Sequence, residues 1–299
     1  MSIDWMWSRK DSAGVQPAIR DQLVSVDRKQ LRIRSPWVAD SALMGKMHSS
    51  ALIGGMIIAI CIFVDDFYDD ARFDYALLVL SIVLLLWVSL MLMLRVRMIK
   101  TISDVVFDRD RRRVCCTEYG RVISGDWNSV VGGHQSEWEF TGRAVIVLHS
   151  LMLRMQAESV KVGGDESKPV SMFVSIESNE PTEPTVLYVG QIWEFIRIFM
   201  EEGSDKLPEP GESSWWNSPN VRIFLTPAEA LRHYVPWRTG EPNERQGKSN
   251  WLLPLWFVLF PYNMFCALCW YAVCRVLKVR GMPPPVHMGF ENRDSSRHP

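Results

Sequence analysis

An acidic stretch is the first group of residues in this sequence that could do chemistry. Five aspartates and one arginine lie between two apolar segments, within residues 65–74. Carboxylate oxygens suit Ca²⁺ or Mg²⁺, so a divalent-cation site is one interpretation. The aspartates come as adjacent pairs, however, without the Asp-x-Asp-x-Asp-Gly spacing of a calcium loop. We therefore favour a topological interpretation, in which acidic residues collect in a short loop outside the membrane.

Cysteines and histidines form the second group. Cys266 and Cys269 have the spacing of a metal or redox pair, with Cys274 nearby. Their apolar surroundings disfavour a reactive thiolate and favour packing. No zinc-protease, serine-hydrolase or phosphate-loop motif occurs, so we expect a protein that is not an enzyme and has no catalytic residues, metal or cofactor. Four histidines are scattered without ligand spacing, namely His48, His134, His149 and His233.

Basic and aromatic residues beside the apolar segments form the third group. Each Lys or Arg near a membrane surface attracts anionic lipid with about 1 kcal/mol, and Trp and Tyr rings prefer headgroup depth. The alternatives are ordinary topology and a solvated turn for the cations, and a ligand cage for the rings. The candidate lipid contacts are Arg95, Arg97, Lys100, Arg109, Arg111, Arg112 and Arg113, and the candidate interface anchors are Trp251, Trp256, Trp270 and Tyr271.

Two apolar segments must position these groups. Residues Tyr75 to Leu94 carry no charged side chain. At about 1.5 Å per residue they form a helix roughly 30 Å long, which matches a hydrocarbon core. With the shorter run Ala51 to Val64 they predict a transmembrane hairpin. Because basic residues flank its two outer ends, the positive-inside rule places both ends in the cytoplasm. These flanking residues are Arg32, Arg34 and Lys46 on one side and Arg95, Arg97 and Lys100 on the other.

A third apolar segment, Trp251 to Cys274, also lacks charge. If it spans the membrane from the cytoplasm, the basic residues that follow it lie outside, against the same rule. A break near Pro261 would instead divide it into two short pieces that form a re-entrant or interfacial hairpin. Both arrangements stay open from the sequence. The basic residues in question are Arg275, Lys278 and Arg280.

Composition excludes two broad classes of protein. The formal net charge is −1, whereas a general nucleic-acid binder needs clustered excess base to neutralise phosphates. The six cysteines lie in apolar segments or adjacent in one expected strand, which is no disulfide framework. We therefore expect a soluble domain that faces the cytoplasm and whose cysteines are reduced.

Between the hairpin and Gly203 the pattern changes to short β-rich runs separated by turn residues, about seven strands in all. An amphipathic helix from Gln191 to Glu202 follows the last expected strand, Thr185 to Val189, and Gly203 supplies its stop. We expect an α+β protein with an antiparallel roll or partly open barrel of the pleckstrin-homology kind, closed by this helix. Thr226 to Glu229 form a capping box for a short helix. The expected division is 1–42, an N-terminal cytoplasmic segment; 43–98, the hairpin; 99–207, the soluble domain; 208–250, a linker; 251–276, the third apolar segment; and 277–299, a polar tail.

Several short stretches carry a family resemblance. They are Trp193 to Gly203, Leu207-Pro208, Val106 to Arg109 and Trp127. The chain resembles an uncharacterised family of proteobacterial membrane proteins often encoded beside type VI secretion effectors. The resemblance covers most of the chain from the hairpin onward. It implies a role in interbacterial competition and carries over no catalytic residues.

These observations together predict a multi-pass protein of the bacterial inner membrane with a cytoplasmic soluble domain. We expect it to act by binding a cognate secreted toxin, as an immunity or accessory protein, with membrane lipids as its other partners and no nucleic acid. The alternative is a membrane-anchored adaptor for lipid or protein. A channel or transporter component fits less well, because ion paths usually need polar groups inside the membrane.

Overall fold

Nine strands and six α-helices form the part of the chain that the computed structural model describes, residues 3–68, 75–140, 145–161, 167–177, 186–211, 215 and 222–283. The core of the aspartate-rich stretch, residues 69–74, lies outside these ranges, as do residues 212–214 and 216–221 of the predicted linker and residues 284–299 of the predicted tail. The chain divides into two units. The sheet unit comprises Met1–Val38, Thr101–Ser213 and Met282–Pro299, and the helix unit comprises Ala39–Lys100 and Ser214–Gly281.

The strands make one curled antiparallel sheet, a half-barrel, in the order β1-β7-β8-β6-β5-β4-β3-β2, with β9 paired to β8. Residues 3–33 supply three of its strands, whereas the sequence division treats residues 1–42 as a separate segment. The bounds are β1 Ile3–Ser8, β2 Leu23–Val26, β3 Gln30–Ile33, β4 Val105–Asp108, β5 Arg113–Glu118, β6 Arg121–Asp126, β7 Val131–Phe140, β8 Val145–Lys161 and β9 Ser167–Glu177.

The core of the sheet unit lies between the inner face of this sheet and one helix, α3 (Val186–Glu201). The predicted apolar stripe of this helix is confirmed, since Ile192, Phe195 and Phe199 are fully buried. The predicted strand Thr185 to Val189 is wrong where the structure describes it, because α3 begins at Val186. Tyr188 and Val189 extend the buried helical stripe by a further turn, so packing overrides their β propensity.

A β-bulge in β1 sends two tryptophans to opposite faces of the sheet. The register shifts between Trp5, opposite Gly133, and Trp7, opposite Gly132. Trp7 stacks on Trp193 of α3, with ring centroids 6.0 Å apart. A Cβ on Gly132 would meet Trp193, and one on Gly133 would meet Trp5. The two glycines therefore allow a tryptophan to lie flat against each face of β7.

The helix unit contains three helices that are long and apolar enough to cross a membrane. They lie within α1 (Pro36–Tyr68), α2 (Tyr75–Thr101) and the last helix, α6 (Leu253–Val276, whose apolar stretch begins at Asn250). Few of the residues in their apolar windows, 11%, 11% and 22%, are buried in the isolated chain, as expected for surfaces that face lipid. Two shorter helices lie between α2 and α6 in this unit, namely α4 (Pro227–Tyr234) and α5 (Glu244–Gly247).

Side-chain contacts fix the directions of the three long helices. Asp40 of α1 pairs with Arg95 of α2 at 2.7 Å, and Gly55 of α1 lies against Leu85, so α1 and α2 are antiparallel. Gly45 lies against Trp270 and Gly54 against Phe265 of α6, so α1 and α6 are also antiparallel. Helices α2 and α6 therefore run parallel, and the Lys100 Nζ donates to the Leu277 carbonyl at 2.6 Å.

Of the two arrangements left open by the sequence, the structure shows the unbroken one, because α6 is continuous through Pro261. Tight packing against neighbouring segments allows proline inside such a helix. Residues 222–252, which we call the flanking segment, run back along α6. The Ile223 carbonyl accepts from the Trp270 Nε1 at 2.8 Å, and the Gly247 carbonyl accepts from the Trp256 Nε1 at 2.9 Å. These two levels are roughly 21 Å apart along the helix, at about 1.5 Å per residue.

Candidate functional site

The predicted lipid contacts divide between the two units. Arg95 and Lys100 lie at the C-terminal end of α2, where Arg95 pairs with Asp40 and Lys100 caps the end of α6. Arg97 lies on the same turn. The other four arginines lie in and beside the turn that joins β4 to β5. Lys46, predicted as an outer flank, is instead 5% exposed on α1, because the helix begins ten residues earlier, at Pro36.

The arginine run at the β4–β5 turn is partly structural. The Arg112 guanidinium pairs with Glu201 at 2.6 Å, and the Trp127 Nε1 donates to the same oxygen at 2.7 Å. Burial by itself raises the pKa of Glu201, but the hydrogen bonds from Arg112 and Trp127 outweigh it and lower the pKa. Arg109 lies against Gly203, whose φ of 108° no other residue adopts easily. These contacts tie the end of α3 to the turn.

Two of the four predicted interface anchors lie inside the protein. Trp256 and Trp270 are 4% and 1% exposed, and each donates its Nε1 hydrogen to a backbone carbonyl of the flanking segment. They therefore hold the flanking segment against α6, which corrects the expectation of a ring at headgroup depth. Trp251 is 79% exposed at the N-terminal end of the apolar stretch, and half-buried Tyr271 lies near its C-terminal end.

The flanking segment and Trp215 form a buried polar network that the sequence motifs did not indicate. The His233 Nδ1 lies 3.0 Å from Glu241, and the Trp215 Nε1 donates to the same carboxylate oxygen at 3.0 Å. The indole of Trp215 stacks on the imidazole at 4.1 Å. Burial lowers the pKa of His233 and outweighs the opposing effect of Glu241. Burial of the ring thus favours its neutral form, and the Glu241 carboxylate orients Nδ1 toward itself.

A second ion pair completes this network. The Lys248 side chain is fully buried, and its Nζ donates to Glu244 at 2.7 Å and to the Trp237 carbonyl at 3.1 Å. Glu244 also accepts from the backbone amides of Thr239 and Gly240. Burial raises the pKa of Glu244, but these donors outweigh it and lower the pKa to about 2. With both charges paired and hydrogen-bonded, the network can remain buried.

The small exposed fraction of the His233 side chain limits the reactions in which this network could take part. An imidazole oriented by a carboxylate could act as a base where its other nitrogen reaches a substrate. Here 7% of the His233 side chain is exposed and Trp215 covers the ring, an arrangement that suits a structural polar core. The four-residue spacing of Glu244 and Lys248 was the signal that could have indicated part of it.

A family model described as "Family of unknown function (DUF6708)" matches residues 81–288, which is more than half of the chain. The chain belongs to this family. The DUF6708 match runs from within α2, through the sheet from β4 onward, to residue 288 beyond the end of α6, and so includes the flanking segment and Trp215. No curated protein and no solved structure matches the chain.

The sheet unit of this DUF6708 protein presents two further groups of side chains. On the outer face, Arg154 lies 4.7 Å over the ring of Trp5, and Trp5 lies 6.3 Å from Phe173. We call these three residues the outer-face patch. On the inner face, the His134 Nε2 lies 2.9 Å from the His149 Nδ1, with Ser136 beside both. Burial and the His149 imidazole lower the pKa of His134.

The remaining chemical predictions concern cysteines and metals. The structure brings two of the four scattered histidines together, but no group of three or more His, Cys, Asp or Glu in the described ranges could hold a metal ion. Cys266, Cys269 and Cys274 are free thiols buried along α6. Their positions are those of packing residues.

Proposed function

We propose that this protein resides in the bacterial inner membrane and acts by binding a protein partner through its sheet unit. The partner we propose is a type VI secretion effector, for which the chain serves as an immunity or accessory protein. Three apolar helices support membrane residence. The family resemblance seen in the sequence motivates the choice of partner.

The outer-face patch carries the proposal that the sheet binds a protein. Trp5, Arg154 and Phe173 come from β1, β8 and β9, and Trp5 reaches over Gly133 of the intervening strand β7. Phe173 is 51% exposed. Tryptophan and arginine dominate the binding energy of protein interfaces, usually within a compact cluster. A rigid sheet fixes the three side chains before binding, which lowers the entropy cost of association.

The position of the basic residues supports a cytoplasmic location for the sheet unit. Arg95, Arg97 and Lys100 end α2, and β4 follows this helix after a short connection. The parallel packing of α2 and α6 adds Arg275, Lys278 and Arg280 to the same end. Six basic residues at one end of the helix unit favour that end as the cytoplasmic one. We further propose that the sheet and α3 form a pleckstrin-homology-like module, a likeness based on a curled antiparallel sheet covered by one helix.

A competition assay tests the immunity role. Deletion of the gene should sensitise cells to a strain that delivers the co-encoded toxin, and the full-length chain should restore survival. Trp5→Ala should weaken toxin binding about thirtyfold, since a hot-spot residue contributes about 2 kcal/mol. Trp138→Ala, an equally large change at a tryptophan that is 77% exposed elsewhere on the sheet, is the control. Unaltered survival of the deletion strain would count decisively against the role.

An adaptor without a toxin partner is the second candidate, and the same patch favours it. A photo-crosslinking residue in place of Phe173 distinguishes the two. A crosslink to the toxin supports the immunity or accessory role, whereas a crosslink only to a protein of the same cell supports the adaptor. The full chain is needed, because residues 3–33 contribute three strands to the sheet.

A further inference from the structure

A groove opens at the C-terminal end of α6, with a volume of about 690 Å³. This is within the range of small-molecule sites, roughly 300–1,000 Å³. One wall is apolar and the other is basic. Its principal lining residues are Ile223, Phe224, Arg275, Lys278, Arg280 and Gly281.

Three cations, Arg275, Lys278 and Arg280, line this groove, and none of them pairs with a carboxylate of the described residues. Arg275 is held in place, since its Nε donates to the Tyr271 hydroxyl at 3.1 Å and its guanidinium lies 5.5 Å from that ring. The ring of Phe224 packs against the ring of Tyr271, with centroids 5.3 Å apart. A fixed arginine that lacks an anion is suited to bind one.

Lys278 occupies a left-handed backbone conformation that glycine adopts more easily than lysine. The Val279 amide donates to the Cys274 carbonyl at 2.9 Å, and the Lys278 amide donates to the Arg275 carbonyl at 3.4 Å. These two bonds form a Schellman motif, with Lys278 at the left-handed position, φ 49°. Only glycine adopts this conformation without strain. Residues held in this conformation cluster at ligand-binding and switch sites.

The position of the groove indicates the source of the anion. Lys100 of α2 donates to Leu277 beside the groove, so the groove lies at the basic end of the two parallel apolar helices. At such an end the lipid phosphates meet the protein surface. Ile223 and Phe224 line the same groove, and Phe224 is 42% exposed, so they offer an apolar surface for acyl chains.

We propose that this groove binds the phosphate of an anionic phospholipid, held by Arg275, Lys278 and Arg280. The cations attract the phosphate group, and the apolar wall selects the lipid over free phosphate. A zwitterionic lipid binds less well, because the amine of its own headgroup opposes the three cations. The site is independent of the protein partner proposed above.

Lipid binding to the full-length protein in detergent tests this proposal, with native mass spectrometry as the readout. The probes are phosphatidylglycerol, phosphatidylcholine and inorganic phosphate. We expect phosphatidylglycerol to bind best, and Arg280→Gln to weaken it about fivefold, the effect of one cation near a membrane surface. Arg245→Gln, which neutralises an exposed arginine on α5, should leave binding unchanged.

Lys278→Gly separates binding from folding. Glycine relieves the strained backbone, so this variant should unfold at the same or a higher temperature while binding phosphatidylglycerol about fivefold less tightly. Equal binding of phosphatidylglycerol and phosphatidylcholine would overturn the proposal. So would wild-type lipid affinity in both Lys278→Gly and Arg280→Gln, or displacement of the lipid by equimolar inorganic phosphate.

Discussion

Two ion pairs of the sheet unit and the Lys248–Glu244 pair of the helix unit are exposed to water to different degrees. Arg112 and Glu201 of the sheet unit are 34% and 27% exposed, and Arg197 and Glu194 are 15% and 5% exposed. Lys248 and Glu244 of the helix unit are 0% and 4% exposed. A partner left alone at the Arg112–Glu201 pair can be hydrated, whereas Glu244 left without Lys248 cannot. The cost of breaking a pair should therefore rise with its burial.

Lys248→Met should have the largest effect. It leaves the Glu244 charge buried without its cation, which typically costs about 3–5 kcal/mol. Thermal unfolding in detergent measures this loss. Arg245→Met, at an exposed position on the same short helix, should stay within about 0.5 kcal/mol of wild type. A Lys248→Met variant as stable as the Arg245 control would break the comparison.

The second largest effect should come from acidification, which should remove the contribution of Glu244 to the free energy of unfolding. The pKa of this carboxyl is lowered to about 2 in the folded chain, so its stabilisation is present above the unfolded pKa, near 4.5. It is lost as the pH falls toward 2, and amounts to about 3 kcal/mol. The stability gap between wild type and Glu244→Gln should therefore shrink over this pH window. A stability gap that does not depend on pH would contradict the lowered pKa of Glu244.

Arg112→Ala should have the smallest effect, about 1 kcal/mol, because water and salt screen this partly exposed pair. The hydrogen bond from Trp127 to Glu201 remains in the variant. Unfolding measured at low and high salt should show the difference between wild type and variant shrinking as salt is added. A loss of stability as large as that of Lys248→Met would mean that burial does not determine the cost of breaking an ion pair.

Local patterns predicted much of the fold. The stripe of α3 follows from 3.6-residue periodicity, and the helix start at Thr226 is a confirmed capping box with Glu229. The length of β8 was missed, since polar residues such as Gln156 and Glu158 alternate with buried Met155 and Ala157. A strand with one wet face looks like a polar loop when only apolar runs are counted.

The buried network could be predicted only in part. Glu244 and Lys248 are local neighbours, but His233 gains its partner from an irregular loop and its stacking ring from Trp215. Such contacts have no periodicity to detect. Trp256 and Trp270 were assigned to the membrane interface for the same reason, because their carbonyl partners belong to a segment that folds back along α6.

The parallel packing of α2 and α6 leads to our central proposal. We propose that the C-terminal end of α6 and the turn between β4 and β5, which follows α2 in the chain, lie on the same side of the membrane. Cysteine labelling tests it most directly, in a chain whose six native cysteines are replaced by serine. Arg280→Cys and Arg111→Cys should both be protected from an impermeant maleimide in intact spheroplasts and react after permeabilisation, while Ala71→Cys reacts in both. Labelling of Cys at 280 but not at 111 in intact spheroplasts would contradict the claim.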